Sequence, residues 1–201
     1  MPRFGPPWFI KPNTQGSSVG VSSAVNIKEL KGSLRKAFEY DSLSHIEEKI
    51  EGRELTCGIM EKDQQPYPLP VVEIIPQEEF FDYKAKYNGS TQEIVPARID
   101  QGLTKKIQDL ALKVFQLVGA FDFARIDFMV DQRNRPYILE INTIPGLTNE
   151  SLLPKEAQAA GYPFPEFLSV IIDNAWQRTN MEEENILEKA GDRSEKTLSA
   201  P

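Results

Sequence analysis

Cysteine and histidine are nearly missing: the 201 residues hold one of each. A single cysteine permits no disulfide within the chain and points to a reducing compartment. Cys57 lies between Leu55 and Ile59 on one face of a strand-like stretch. It therefore reads as a core side chain and not as a nucleophile. His45 opens another strand-like stretch and has no second histidine to join it. That argues against a zinc site and against a Ser-His triad. No apolar run approaches the ~20 residues a spanning helix needs. No signal-peptide pattern is read at the start, and no membrane partner is expected. Positive charge is also in deficit, 23 Lys and Arg against 30 Asp and Glu, a net charge of −7. No basic stripe offsets it, so nucleic acid is not expected as a partner.

Apolar residues make up 40% of the chain, enough for one domain or two small lobes. Trp8-Phe9-Ile10 reads as a short strand and Val19–Val25 as a second. Asn26 suits the cap of a helix to about Tyr40, with Ile27, Leu30, Leu34 and Phe38 at helical spacing. Strands are expected at 45–50, 54–61 and 69–75, with Glu51-Gly52-Arg53 as a turn. Residues 77–92 read as a long polar, aromatic loop, a kind that is usually functional. Leu103 to Val118 shows a strong amphipathic pattern through Ile107, Leu110, Ala111, Val114 and Leu117. Short helices are expected at 153–160 and 164–178. Strands and helices without βαβ regularity argue an α+β architecture.

Four side chains carry the chemistry. Arg125 and Asp127 stand two apart in FARIDFMVD, and Glu140 and Asn142 two apart in PYILEINT. Both stretches read as strands, where alternate residues share a face. The polar residues 131–135 between them read as a hairpin turn. Pairing Asp131 with Pro136 sets Asp127 opposite Glu140 and Arg125 opposite Asn142. Ile126, Phe128, Leu139 and Ile141 then face a core. Two carboxylates and an amide are hard oxygen ligands that suit Mg²⁺ together with substrate phosphates. The neighbouring guanidinium suits a phosphate or an oxyanion. The same residues also read as a surface hairpin with solvated charges. Against that, facing carboxylates repel unless a cation lies between them.

Other motifs are weaker alone. IKPNTQGSSVG sets Lys11 after a strand and before a Gly/Ser turn that can cradle phosphate, although no Walker pattern follows. IEEKIEGRE offers edge-strand backbone at Glu47 to Ile50 for a planar base and Glu54 for ribose hydroxyls. FFDYKAKYNG places Lys84 and Lys86 among aromatics on a loop able to close over a phosphate. INTIPGLTNESLLP brings Gly146 and then Ser151 and Leu152 at a helix start, suited to a carboxylate. Each has an ordinary structural reading as well: a hairpin turn, a charged edge, a solvated loop, an N-cap.

Taken together, IKPNTQGSSVGVS, EGRELT, FDYKAKY, RIDFM and LEINTIPGLTNESLLP resemble the ATP-grasp superfamily, and within it the D-alanine–D-alanine ligases. The resemblance runs from about Trp8 to Gln177. It implies an ATP-grasp fold of two α+β lobes with nucleotide between their sheets. A small lobe is expected over 8–50 and a large one over 51–178, after an entry segment 1–7 and before a disordered tail 179–201. It also implies ATP-dependent joining of two D-alanines through an acyl phosphate, in the cytoplasmic synthesis of peptidoglycan precursors. The implied cofactors are ATP and two Mg²⁺ ions, with Mn²⁺ as a substitute, and the implied full-length assembly is a homodimer.

The implied roles follow residue by residue. Lys11 and Ser18 would contact phosphates, and Ser17 would bond Tyr87. Glu47 and the backbone of Lys49 and Ile50 would hold adenine, and Glu54 ribose. Lys86 would meet the γ-phosphate. Asp127, Glu140 and Asn142 would ligate the metals. Arg125 and the Gly146 N–H would stabilise the oxyanion, and Ser151 and Leu152 would hold the second substrate's carboxylate. The family's N-terminal domain finds no counterpart here, so the chain is expected to be the catalytic C-terminal part. The alternatives are a D-alanine–D-lactate or related ligase and a non-catalytic nucleotide-binding fragment.

Overall fold

Alternating burial along the first strand sets the smaller sheet. The computed structural model describes residues 2–76 and 91–180. β1 (Trp8–Pro12) buries Trp8, Ile10 and Pro12 and leaves Phe9 and Lys11 half-exposed. It pairs antiparallel with β2 (Ser22–Ala24) and β3 (Ser44–Glu48), giving the order β2-β1-β3. α1 (Ile27–Ala37) closes the buried face, packing Leu30 and Ala37 onto Trp8, Ile10 and Ala24. Asn26 caps it as expected, its Oδ1 accepting from Glu29 N at 3.0 Å. Glu29 reaches back to accept from Val25 N at 2.9 Å. The helix stops at Ala37, short of Tyr40, and Phe38 is exposed rather than part of the buried stripe.

The expected strand 19–25 shrinks to three residues. Ser17, Ser18 and Gly20 hold φ of 52°, 61° and 73°, which no strand adopts. Val19 N and Val21 N bond back to Gly16 O and Ser18 O, so a turn uses those amides.

The larger sheet has the order β7-β6-β4-β8-β9, with β5 also pairing β4. Its strands are β4 (Gly52–Lys62), β5 (Gln65–Pro68), β6 (Val72–Pro76), β7 (Thr91–Ile94), β8 (Phe123–Asp131) and β9 (Pro136–Asn142). The expected turn at 51–53 is corrected, because Gly52 and Arg53 already belong to β4. β5 is not among the expected strands, and β7 begins inside the expected loop. β4 and β5 join through Asp63 and Gln64, both at positive φ, as a two-residue hairpin turn requires. An Asp-Gln pair does not announce such a turn. Of the loop expected at 77–92, residues 91 and 92 lie in β7, and 77–90 fall outside the described residues.

α2 (Gln101–Leu117) is capped by Asp100, whose Oδ1 accepts from Leu103 N at 2.9 Å. It buries Leu103, Ile107, Ala111 and Phe115, while Leu117 and Val118 are exposed. α3 (Leu152–Ala159) packs Leu153 and Ala157 with Met60, Leu69 and Phe167. A further helix, α4, covers 164–180 and so takes in residues 179 and 180, which were assigned to the tail.

The described residues form two compact units. One is drawn from Met1–Leu55, Glu73–Ile94 and Phe128–Tyr137, the other from Thr56–Val72, Val95–Asp127 and Ile138–Pro201. Within the first, Gly52 admits no side chain, since a Cβ there would lie 1.9 Å from Val130 O. Backbone cannot retreat as a flexible side chain can. Gly52→Ala is therefore expected to destabilise by about 1–3 kcal/mol or more, read as a lower urea midpoint. An unchanged midpoint would show that the strands yield at this point.

Candidate functional site

Asp127 is the centre of the site. β8 buries Ala124, Ile126, Phe128 and Val130 and turns Arg125 and Asp127 to the other face. Arg125 grips Asp127 with two parallel bonds, Nε to Oδ1 and Nη2 to Oδ2, both 2.9 Å. Thr56 of β4 donates its hydroxyl to Oδ1 at 2.5 Å. Asn142 of β9 donates Nδ2 to Oδ2 at 2.9 Å and also reaches Glu140 Oε1 at 3.3 Å. The expected meeting of 125, 127, 140 and 142 on one face is what these contacts report.

Burial works against charge on Arg125, yet its pKa is held above the ordinary guanidinium value. The bonds and charge of Asp127 outweigh the burial, with help from Glu156 and Glu140. Arg125 is thus a fixed cation. One expectation on these strands fails. Leu139 is 40% exposed and does not face a core, because β9 ends its sheet.

Among the described residues no three or more His, Cys, Asp or Glu cluster for a metal ion. The candidate set is smaller: two carboxylates, Asp127 and Glu140, and the amide of Asn142. The amide presents its NH₂ to both carboxylates, the place where a cation would relieve their repulsion. Turned over, it would offer Oδ1 instead. The donor set fits a hard cation such as Mg²⁺ that completes its shell with water and phosphate.

Past β9 the chain bends at Gly146, where a Cβ would sit 2.7 Å from Ser151 Oγ. Ser151 occupies the N-cap position of α3 but makes no side-chain cap bond. Its hydroxyl turns back, accepting from Thr148 N at 3.1 Å and lying 2.9 Å from Thr148 Oγ1. The Ser151 N–H is donated to Thr148 O at 2.9 Å. Of the two amides expected for a carboxylate, that of Ser151 is therefore engaged locally.

The other unit carries the expected nucleotide contacts. Lys11 and Glu47 share the sheet face opposite the core and form an ion pair of 2.6 Å. Ser17 and Ser18 form the left-handed turn described above. Lys49 N extends the β1–β3 ladder by donating to Pro7 O at 3.1 Å. Ile50 and Glu54 are half-buried. Lys86 and Tyr87 lie outside the described residues.

Residues 1–173 match the family model for the D-ala D-ala ligase C-terminus. The chain belongs to this family. It is 38% identical over 176 residues to a D-alanine–D-alanine ligase of Pelotomaculum thermopropionicum, covering 87% of this chain and 55% of that one. It is 41% identical over 169 residues to a D-alanine–D-alanine ligase of Maridesulfovibrio salexigens, covering 84% and 55%. The chain thus spans about half the length of the curated relatives it matches. Among solved structures, the Bacillus anthracis ligase complexed with ATP matches at TM-score 0.72 and 36% identity, covering 89% of this chain and 56% of that one. A D-Ala:D-Ser ligase of Enterococcus faecalis matches at 0.75 and 33%, covering 85% and 50%. These neighbours bear out the ATP-grasp expectation for the fold.

Three polar groups went unread in the sequence: Thr56, Thr148 and Glu156. Glu156 is fully buried on the face of α3 that carries Leu153 and Ala157. A charge within that apolar spacing was the available signal. Its Oε1 accepts from Gly58 N at 2.8 Å, while Oε2 has no hydrogen-bond partner. Burial pushes its carboxyl well above the usual carboxylate range. The Gly58 bond and Arg125 pull it back, and Asp127 adds to the rise. Cys57 is fully buried, as expected of a core side chain, and that burial, with Glu156 as neighbour, likewise pushes its thiol up.

Unfolded, Glu156 titrates near pH 4. Between there and its raised folded value, the folded state keeps a proton that the unfolded state has lost. Stability then falls as pH rises through that window. Glu156→Gln abolishes the titration and keeps an acceptor for Gly58 N. The variant is expected to gain on wild type as pH rises above about 5 in urea unfolding. A difference that does not change with pH would mean that Glu156 is ionised in the fold.

Proposed function

We propose that this chain serves the ATP-dependent ligation of two D-alanines to D-alanyl-D-alanine, a cytoplasmic step of peptidoglycan precursor synthesis that underlies cell wall and cell shape. The observation that carries this reading is Asp127 held beside Glu140, Asn142 and Arg125. It is supported by membership of the family and by the ATP complex of a structural neighbour. Among the described residues no helix is long and apolar enough to cross a membrane.

In this reading Lys11, Ser17, Ser18, Glu47, Lys49, Ile50 and Glu54 bind the nucleotide, and Lys86 and Tyr87 serve the transferring phosphate. Asp127, Glu140 and Asn142 hold Mg²⁺, which when bound supplies positive charge against phosphate oxygens. The first D-alanine's carboxylate oxygen attacks the γ-phosphorus and ADP leaves. The second D-alanine's amine then attacks the acyl carbon, loses a proton and expels phosphate. Arg125, a fixed cation, and the Gly146 N–H balance the oxyanion of that step. Ser151 and Leu152 receive the second carboxylate. Because a D-Ala:D-Ser ligase is among the neighbours, D-alanine, D-serine and D-lactate are to be compared as second substrate.

Two measurements test the reading. Calorimetry with a non-hydrolysable ATP analogue and Mg²⁺ is expected to show binding that chelation or Glu140→Ala weakens. Equal heats for wild type and Glu140→Ala would withdraw Glu140 from the metal site. In a D-alanine-dependent assay of ADP formation, Arg125→Ala is expected to lose on the order of a hundredfold in rate. Undiminished turnover would remove Arg125 from the chemistry.

A further inference from the structure

Asp127 receives its hydrogen bonds from three side chains, and they differ in what happens when a cation arrives. Arg125 contacts both carboxylate oxygens, so a cation at either one meets a positive charge already in place. Asn142 presents NH₂, which must turn away before the residue can act as a ligand. Both contacts are therefore exchanged or weakened when metal binds. The third donor is different. Thr56 is fully buried on β4, and its hydroxyl approaches Asp127 Oδ1 at 2.5 Å and Ile126 O at 3.1 Å. A hydroxyl carries one proton. The shorter contact, to a charged oxygen, is the charge-assisted one, and such bonds are stronger than bonds to a neutral carbonyl. Neutral and anchored in the sheet, Thr56 has no reason to leave when a cation approaches. One lone-pair direction of Oδ1 is thereby fixed while the others remain for the ion.

We propose that Thr56 is the positioning residue of the cation site, holding the Asp127 carboxylate in its ligating orientation while Arg125 and Asn142 release it. The inference rests on Asp127 being a metal ligand, as in the function proposed above. Partners that orient a ligand from behind typically change metal affinity by about 10- to 100-fold when lost.

The test titrates Mn²⁺ into the full chain with a non-hydrolysable ATP analogue. Bound metal is followed by the loss of the free Mn²⁺ paramagnetic resonance signal. A parallel titration with the analogue in chelator gives the metal-free nucleotide affinity. Thr56→Val replaces the hydroxyl with a methyl of similar size. It is expected to weaken Mn²⁺ binding by about 10- to 100-fold and to leave metal-free nucleotide affinity unchanged. Thr56→Ser, which keeps the hydroxyl, is expected to retain wild-type Mn²⁺ affinity. If the valine variant does not fold, Thr56→Ala is compared with Thr56→Ser, and loss in alanine alone supports the role. Mn²⁺ binding by Thr56→Val equal to wild type overturns the proposal and leaves the metal site standing. Equal weakening of both affinities overturns it too, as a general structural effect. Failure of wild type to bind Mn²⁺ overturns the metal site itself, and the role of Thr56 with it.

Discussion

The bidentate bond between Arg125 and Asp127 is the constraint from which the site's other features follow. Both side chains are largely withdrawn from water, at 17% and 12% exposure. Neither charge is tolerable there without the other. The pair fixes two residues of one strand, two positions apart, in a single geometry. It also makes any cation at Asp127 a competitor of Arg125. An ion that brings its own anions offers Arg125 a new partner as it takes the old one. A bare ion does not. The geometry therefore favours a metal that arrives with phosphate over a metal that arrives alone.

A second buried carboxylate stands behind this pair, and its logic is opposite. Glu156 closes an open amide on β4, at the point where β4 begins to pair with β5. Gly58 is glycine for the same reason. A Cβ there would lie 2.6 Å from Glu156 Oε2 and 2.4 Å from Leu153 Cδ1. Full burial holds Glu156 toward its neutral form, whereas Asp127 is gripped by two guanidinium hydrogen bonds. Of the two carboxyl groups near this arginine, only Asp127 has it as a hydrogen-bonded partner.

What was legible in the sequence was periodic or local. Alternation with period two placed 125 with 127 and 140 with 142, and the apolar residues Ile126 and Phe128 confirmed which way the strand faced. Asn26 was legible as a cap because capping acts over three residues. Thr56 was not legible, because its partner Asp127 lies 71 positions away and nothing in the sequence around Thr56 marks a donor. Glu156 depends on Gly58 across 98 positions. Leu139 was misread for a related reason. Its alternation was correct, but burial depends on what covers a strand, and β9 lies at the end of its sheet. The turn at Asp63-Gln64 was hidden by chemistry rather than distance, since Asp tolerates a positive φ but Gln, in the place usually held by Gly, seldom does.

The two candidate clusters also differ in how tightly their own side chains hold one another. Lys11 and Glu47 pair at 2.6 Å with side chains 32% and 44% exposed. Water screens such a pair, and its contribution is at most about 1 kcal/mol. Exchanging Glu47 for an anionic ligand at Lys11 therefore costs little. Arg125 and Asp127 are buried, and breaking one side of such a pair costs about 3–5 kcal/mol unless a new partner takes over. One cluster can accept a ligand by simple competition with solvent-exposed groups. The other yields only to a ligand that supplies both a cation for Asp127 and an anion for Arg125. A metal–nucleotide complex meets both demands at once, and neither a free metal ion nor a free nucleotide does.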